Sequence, residues 1–188
     1  MIRSATDADR QSVRILQALL DAPAPAMLEL AFDTGVGSVL VASEDAGDDY
    51  AGDEDAGDED AGDDYAGDGE HVSAEESADG AGDDDTEDET GGAIVGYALV
   101  LPGSLEADTS VVYLAELVVA PGVRRLGYGA ALVDAVADRF DDYDQLRLTA
   151  RADDEGVLEF YRDQGFWTLD RLEDYYRDGD GVLLVRDL

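Results

Sequence analysis

Residues 113–140, YLAELVVAPGVRRLGYGAALVDAVADRF, run from an apolar strand through a Pro-Gly turn, an arginine pair and two closely spaced glycines into an amphipathic helix. A strand that empties into a glycine-containing loop at a helix start leaves the first helical N–H groups without partners, and the helix dipole adds partial positive charge there. The segment therefore reads as an anion site, with phosphate the first ligand to consider. Leu132, Val133, Val136 and Phe140 recur at helical spacing and belong to the core. Two familiar phosphate loops do not fit. A P-loop ends in Gly-Lys-Ser/Thr, and the chain has no lysine. A dinucleotide fingerprint needs G-x-G-x-x-G directly after the strand, whereas this loop starts later and Leu132 stands where the third Gly or Ala belongs.

The missing lysine is part of a wider bias. All 12 basic residues are arginine, 47 residues are acidic, and the formal net charge is −35 over 188 residues. Outside residues 43–92 there remain 24 acids against 12 arginines, so the bias is not confined to one segment. Such a shell repels itself in dilute buffer, but the Debye length falls to about 3 Å at 1 M salt. The composition is that of proteins from extreme halophiles. It argues against nucleic acid or an anionic membrane as a general partner. Without cysteine there is no disulfide, thiolate metal site or cysteine nucleophile. No apolar run approaches the roughly 20 residues needed to span a bilayer, and MIRSATDADR lacks a signal-peptide core, so the expected location is cytoplasmic.

In chain order, residues 1–5 read as a short strand and Thr6 or Asp7 as the cap of a helix with Val13, Leu16, Ala18, Leu19 and Leu20 on its apolar face, ended by Pro23 and Pro25. Residues 26–32 are readable as a short helix or a strand. Residues 37–43 and 93–101 read as strands. Between them, residues 46–70 are five tandem pentapeptides, AGDDY, AGDED, AGDED, AGDDY and AGDGE, and positions 43–92 hold 23 acids with no basic residue. Little apolar surface is available there to offset ordering entropy, so 43–92 is expected to be a disordered acidic insertion in the loop joining two neighbouring antiparallel strands. It contains neither an EF-hand loop nor a nonapeptide calcium repeat, which favours loose cation condensation over a defined metal site. Residues 145–150 alternate like a strand. Asp153 or Asp154 caps a helix that Gly165 stops, residues 166–169 begin another strand, and Asp178-Gly179-Asp180-Gly181 reads as a turn into a last strand at 182–186. The expected fold is a single mixed α/β domain over 1–188, interrupted by 43–92, with a mostly antiparallel twisted sheet flanked by helices.

The pattern Leu117-x-Val119-x-Pro121 followed by Arg124-Arg125-Leu126-Gly127-Tyr128-Gly129 resembles motif A of the GNAT acyl-CoA N-acyltransferases, whose loop and helix start hold the pyrophosphate of coenzyme A. A second family pattern, a helix ending Phe/Leu-Tyr, three residues, then Gly-Phe, is matched by Phe160-Tyr161-Arg162-Asp163-Gln164-Gly165-Phe166. The likeness covers nearly the whole chain outside the insertion. It implies that acetyl-CoA is the co-substrate, that the backbone of Leu117, Val118 and Val119 pairs with the pantetheine arm and polarises the carbonyl, and that Arg124, Arg125 and the amides of Leu126, Gly127, Tyr128, Gly129 and Ala130 hold the pyrophosphate. Tyr161 matches the tyrosine that protonates the departing thiolate. The general base departs from the family pattern: Tyr113, Ala115 and Thr149 occupy the places where relatives carry one. Glu116 is the nearest carboxylate, and strand alternation sets it opposite Leu117 and Val119 unless a bulge intervenes. The run Asp174-Tyr175-Tyr176-Arg177-Asp178-Gly179-Asp180 is similar to the acceptor loop of ribosomal-protein N-terminal acetyltransferases, which implies Tyr175 and Tyr176 beside a peptide; the same run also reads as a hairpin flanked by strand tyrosines. The implied activity is acetyl transfer to a primary amine, first a protein or peptide N-terminus, with a small-molecule amine or a non-catalytic acyl-CoA-binding module as alternatives. No metal is implied, and nothing in the sequence sets the oligomeric state.

Overall fold

The computed structural model describes residues 1–44, 92–103 and 110–188. Seven strands form one sheet in the order β1-β2-β3-β4-β5-β7-β6: β1 (Ile2–Ser4), β2 (Ser38–Ser43), β3 (Ile94–Pro102), β4 (Val111–Val119), β5 (Gln145–Arg151), β6 (Trp167–Tyr176) and β7 (Gly179–Asp187). All neighbours run antiparallel except β4 and β5. Helices α1 (Arg10–Gln17) and α2 (Pro25–Thr34) cover one face, and α3 (Tyr128–Arg139) and α4 (Glu155–Asp163) the other. This is the mixed α/β architecture expected from the sequence.

With both faces covered, β2 and β3 read as continuous apolar runs rather than alternating ones. Val39 and Val41 meet Val13, Leu16 and Leu28 of the first helix pair. Leu40 and Ala42 face the opposite way, toward Leu132, Val133 and Val136 of α3. Leu28 and Leu132 are fully buried, and such burial contributes about 2 kcal/mol for each side chain. Among the described residues no helix is long and apolar enough to cross a membrane.

Two irregularities in the sheet shape the molecule. Leu99 pairs with Glu116 but Val100 pairs with Leu114, which makes Ala115 an extra residue in β4. Val112 and Leu114 before the bulge, and Leu117 and Val119 after it, therefore all face the α3–α4 side, while Glu116 and Val118 face α1 and α2. The second irregularity is that β4 and β5 pair over three positions, Val111 with Gln145, Val112 with Leu146 and Tyr113 with Arg147. Both strands continue, to Val119 and Arg151, bound to β3 and β7 on their outer edges. Their facing edges part.

Several local expectations need correction. The first helix ends at Gln17, so Ala18 and Leu19 are exposed rather than on a buried helical face, and Thr6 opens a 3-10 turn at Asp7–Asp9 that leads into α1. Pro25 starts α2 instead of ending α1, a position where its missing N–H costs nothing, and Gly35 closes that helix at φ 69° with its N–H on the Ala31 carbonyl at 3.1 Å. Residues 26–32 are thus helix, not strand. β6 begins at Trp167, one residue after the expected start at 166, and extends to Tyr176. The turn before β7 is Arg177–Asp178, with Gly179 already in the strand. The inferred insertion at 43–92 falls almost wholly on residues 45–91, which lie outside the described residues; the strands it connects are neighbours, with Glu44 N–H donating to the Ala93 carbonyl at 3.0 Å.

At the N-terminal end of the sheet, Asp9 takes a forked pair of bonds from Arg3 at 2.6 and 2.8 Å and another from the Thr6 amide at 2.8 Å. The Arg3 guanidinium is the main reason its carboxyl is held down at about 2. A carboxyl near 3.9 in the unfolded chain and about 2 in the folded one contributes stability above pH 4 to 5 that is lost as pH falls toward 2. Thermal unfolding in molar KCl is expected to show this loss, and Asp9→Asn to lower the midpoint at pH 7 while flattening the acid slope; an unchanged slope would remove Asp9 as its source.

Candidate active site

After β4 the chain turns through a 3-10 segment, Pro121–Val123, and the Arg124 Nε donates to the Val119 carbonyl at 3.0 Å. Arg125 and Gly127 have φ of 66° and 91°, and this left-handed pair swings the chain into α3. Gly127 caps the helix. A Cβ there would meet nothing within 4 Å, so glycine serves the backbone conformation and leaves the approach to the helix end open. The first helical backbone bond is Ala131 N–H to the Gly127 carbonyl at 2.9 Å, leaving the amides of Tyr128, Gly129 and Ala130 without helical partners. Among the described residues neither Arg124 nor Arg125 makes an ion pair, although Arg3, Arg10, Arg14, Arg151, Arg171 and Arg186 all do.

A cavity of about 700 Å³ opens in front of this helix end. Leu117, Val118, Val119, Arg124, Arg125, Gly127, Gly129 and Ala130 line it, facing Phe160 and Tyr161 of α4, and Leu19, Leu20 and Asp21 form a further wall. Leu126, 69% exposed, and Tyr128, packed on the core, are not among its lining residues. A smaller cavity of about 250 Å³ lies between the parted strands, lined in part by Ala115, Glu116, Thr149, Arg151 and Tyr176. Leu20, Asp21, Leu117, Asp154, Val157 and Tyr161 line both, so the two spaces meet.

Tyr161 stands at that junction. The local sequence puts it there: Asp154 caps α4 by accepting from Val157 N–H at 3.0 Å, and Phe160 and Phe166 hold the Tyr161 ring edge-on at 5.0 and 5.4 Å. The residue is 8% exposed, and no hydrogen-bond partner for its hydroxyl occurs among the described residues. Burial, followed by the nearby Tyr176, pushes that hydroxyl well above its ordinary value, so it carries its proton throughout the neutral range. Tyr176 donates to the Thr149 carbonyl at 3.3 Å beneath the Arg151 guanidinium, whereas Tyr175, 55% exposed, lies over Gly181 and lines neither cavity.

Glu116 is 5% exposed and fully engaged. Its oxygens accept two bonds from the Gln17 side-chain amide at 3.0 Å, one from Ala24 N–H at 2.6 Å and one from the Tyr97 hydroxyl at 2.8 Å. Burial and the Glu116 charge push the Tyr97 hydroxyl far up, which keeps it a donor. This arrangement ties the end of α1 and the start of α2 to the central strand. The wall residues Leu19, Leu20 and Asp21, together with Arg151 and Asp154, escaped sequence reasoning; the break signalled by the prolines in LLDAPAP was the available clue. No cluster of side chains suited to a metal occurs among the described residues.

A model of the acetyltransferase (GNAT) family matches residues 48–166. No curated protein matches the chain in sequence. Among solved structures, the ribosomal-protein-S18-alanine N-acetyltransferase from Escherichia coli superposes with a TM-score of 0.64 at 14% identity, covering 100% of this chain and 92% of that one. Ard1 from Thermoplasma volcanium gives 0.62 at 19% identity, with 100% and 97% covered. A GNAT family acetyltransferase from Elizabethkingia anophelis with acetyl-CoA bound gives 0.64 at 15% identity, with 100% and 97% covered. At these identities the likeness is one of fold.

Removing the Glu116 carboxylate strands three buried donors. Glu116→Ala is expected to lower unfolding free energy by about 3 kcal/mol in denaturant titrations at molar KCl. A loss below about 1 kcal/mol would mean that the carboxylate does not hold the helix pair.

Proposed function

The chain belongs to the acetyltransferase (GNAT) family and is an acyl-CoA-dependent acetyltransferase; from that premise we propose that it acetylates a primary amine, foremost a protein or peptide N-terminus. The observation that carries this reading is the position of Tyr161, whose protonated, unpartnered hydroxyl borders both a cavity with cationic and free-amide walls and the smaller cavity between the strands. Structures with the same fold include, besides the S18-alanine enzyme, a NatC complex bound to Gag peptide and CoA and Arabidopsis thaliana NAA60 in complex with a bisubstrate analogue, which supports a peptide acceptor.

The larger cavity suits coenzyme A. Arg124, Arg125 and the amides at the start of α3 would hold its pyrophosphate, and the free edge of β4 would bind the pantetheine arm. The bound co-substrate supplies the acetyl group as an activated thioester. Leu117 and Val119, whose backbone groups face away from β3, then offer N–H groups to the carbonyl, and Tyr161 holds a proton for the leaving sulfur. Glu116, saturated by its four bonds, serves as scaffold rather than base in this reading, and deprotonation of the acceptor falls to solvent or to another group of the smaller cavity. Tyr176 borders the acceptor space, while Tyr175 contributes from outside it. A small-molecule amine is the second reading, favoured by the modest volume of about 250 Å³. The acidic, lysine-free composition extends the proposal to a halophilic, cytoplasmic setting in which molar salt screens the shell.

Arg124→Ala and Gly127→Trp are each expected to weaken CoA binding at least about tenfold by calorimetry in molar KCl, the first through charge and the second by obstructing the helix end. Unchanged affinity in both would place the cofactor elsewhere. Tyr161→Phe is expected to cut kcat by about a hundredfold with little change in CoA affinity. An acceptor screen reading free thiol should show release with peptides bearing a free N-terminus; release with small amines and no peptide would favour the second reading.

A further inference from the structure

The six residues that border both cavities include two carboxylates, Asp21 and Asp154. They are not equivalent. Asp154 Oδ1 accepts from Val157 N–H at the start of α4. Asp21, on the exposed connection after α1, has neither a hydrogen bond nor an ion pair among the described residues. Two ionisable groups of the smaller cavity are occupied, while Arg124, Arg125 and Asp163, which share the larger cavity with Asp21, make no ion pair among the described residues. Glu116 is saturated, and Arg151 is neutralised by Asp153 at 3.3 Å and Asp178 at 3.0 Å. Of the two junction carboxylates, Asp21 is thus the one that makes no bond, while Asp154 is engaged at Oδ1 as a helix cap.

Its place is also held. Seven residues separate Gln17 from Pro25, and the two ends of this connection are fastened to the same Glu116 side chain through the Gln17 amide and the Ala24 N–H. Within it, Leu19 and Leu20 N–H donate to the Leu16 and Gln17 carbonyls at 3.0 Å. A free carboxylate on a connection tied at both ends, lining the same two cavities as Tyr161, is suited to a cation, and a free peptide amine, with a pKa of about 8, arrives largely as ammonium.

We propose that Asp21 recognises the ammonium group of the acceptor, so that the junction selects a cationic amine and releases the neutral acetylated product. This rests on the amine-acceptor reading above and deepens it by naming the residue that reads the charge. At molar salt, with a Debye length of about 3 Å, the diffuse field of the acidic shell is screened and a direct contact at Asp21 keeps its selectivity.

The test compares equilibrium binding of a free-amine peptide, Ala-Gly-Tyr-Gly amide, with its N-acetyl form, and of butylamine with N-butylacetamide, to CoA-saturated full-length protein in 2 M KCl. Wild type is expected to prefer the free amine by about tenfold, as a charge-assisted hydrogen bond predicts. Asp21→Asn, compared at CoA saturation, abolishes the preference, and Asp21→Glu restores most of it. The preference also fades above the amine pKa in wild type and shows no such dependence in Asp21→Asn. A preference that survives Asp21→Asn, or none in wild type for either pair, overturns the inference. A preference confined to butylamine and sensitive to Asp21→Asn upholds it while removing the peptide reading.

Discussion

β4 and β5 share a hydrogen-bond register for three residue pairs and then separate, and everything this chain can do as an enzyme depends on that separation. A parallel pair of buried strands ordinarily stays joined, because unpaired backbone groups are costly away from water. Here the extra residue at Ala115 breaks the alternation of β4 just beyond Tyr113, while β5 remains bound to β7 as far as Arg151. Val157 and Tyr161 line the opening from α4. The free edge of β4 is thereby left as a line of donors and acceptors, ending beside the amides and arginines at the head of α3. A ligand with an extended polar arm and an anionic end fits that layout, and acyl-CoA has both.

The carboxylates near the cleft divide into two kinds. Glu116 accepts four bonds and fixes α1, α2 and β3 around the bulge; it resembles a core residue more than a reagent. Asp21 sits on the connection that Glu116 anchors and makes no bond of its own among the described residues. The same division runs through the arginines. Arg3, Arg10 and Arg14 pair with acids between Asp7 and Asp33 and Arg151 with Asp153 and Asp178, whereas Arg124 and Arg125 make no ion pair among the described residues. In a chain of net charge −35, two adjacent arginines before a helix start concentrate scarce positive charge at one place.

Much of this was legible before any coordinates. The strand, loop and helix of residues 113–140 appear where their pattern indicates, because apolar periodicity and the glycines act locally. Asp154 as a cap and Gly165 as a stop were legible for the same reason, and Gly165 has φ 82°. What escaped were consequences of distant contacts. Gln17 and Glu116 are 99 positions apart, so no local signal could show that one saturates the other or that the first helix would end there. Strand alternation gave the correct face for Glu116 relative to Leu117, yet whether it was a reagent or a brace depended on Gln17, Tyr97 and the Ala24 amide. β6 begins within residues 166–169 as their pattern indicates, and its pairing to β7, with two register shifts, carries it on to Tyr176. Leu19 and Leu20, apolar and next to a helix, read as core; the early helix end turned them toward the cleft instead.

The central claim is that acyl-CoA lies along the free edge of β4 and meets the start of α3. Amide hydrogen exchange with and without CoA, in molar KCl, tests it residue by residue. The account predicts new protection at Leu117 and Val119 and at Tyr128–Ala130, with the β6–β7 hairpin unchanged. Protection confined to other segments, with these amides exchanging as fast as in the free protein, would contradict it.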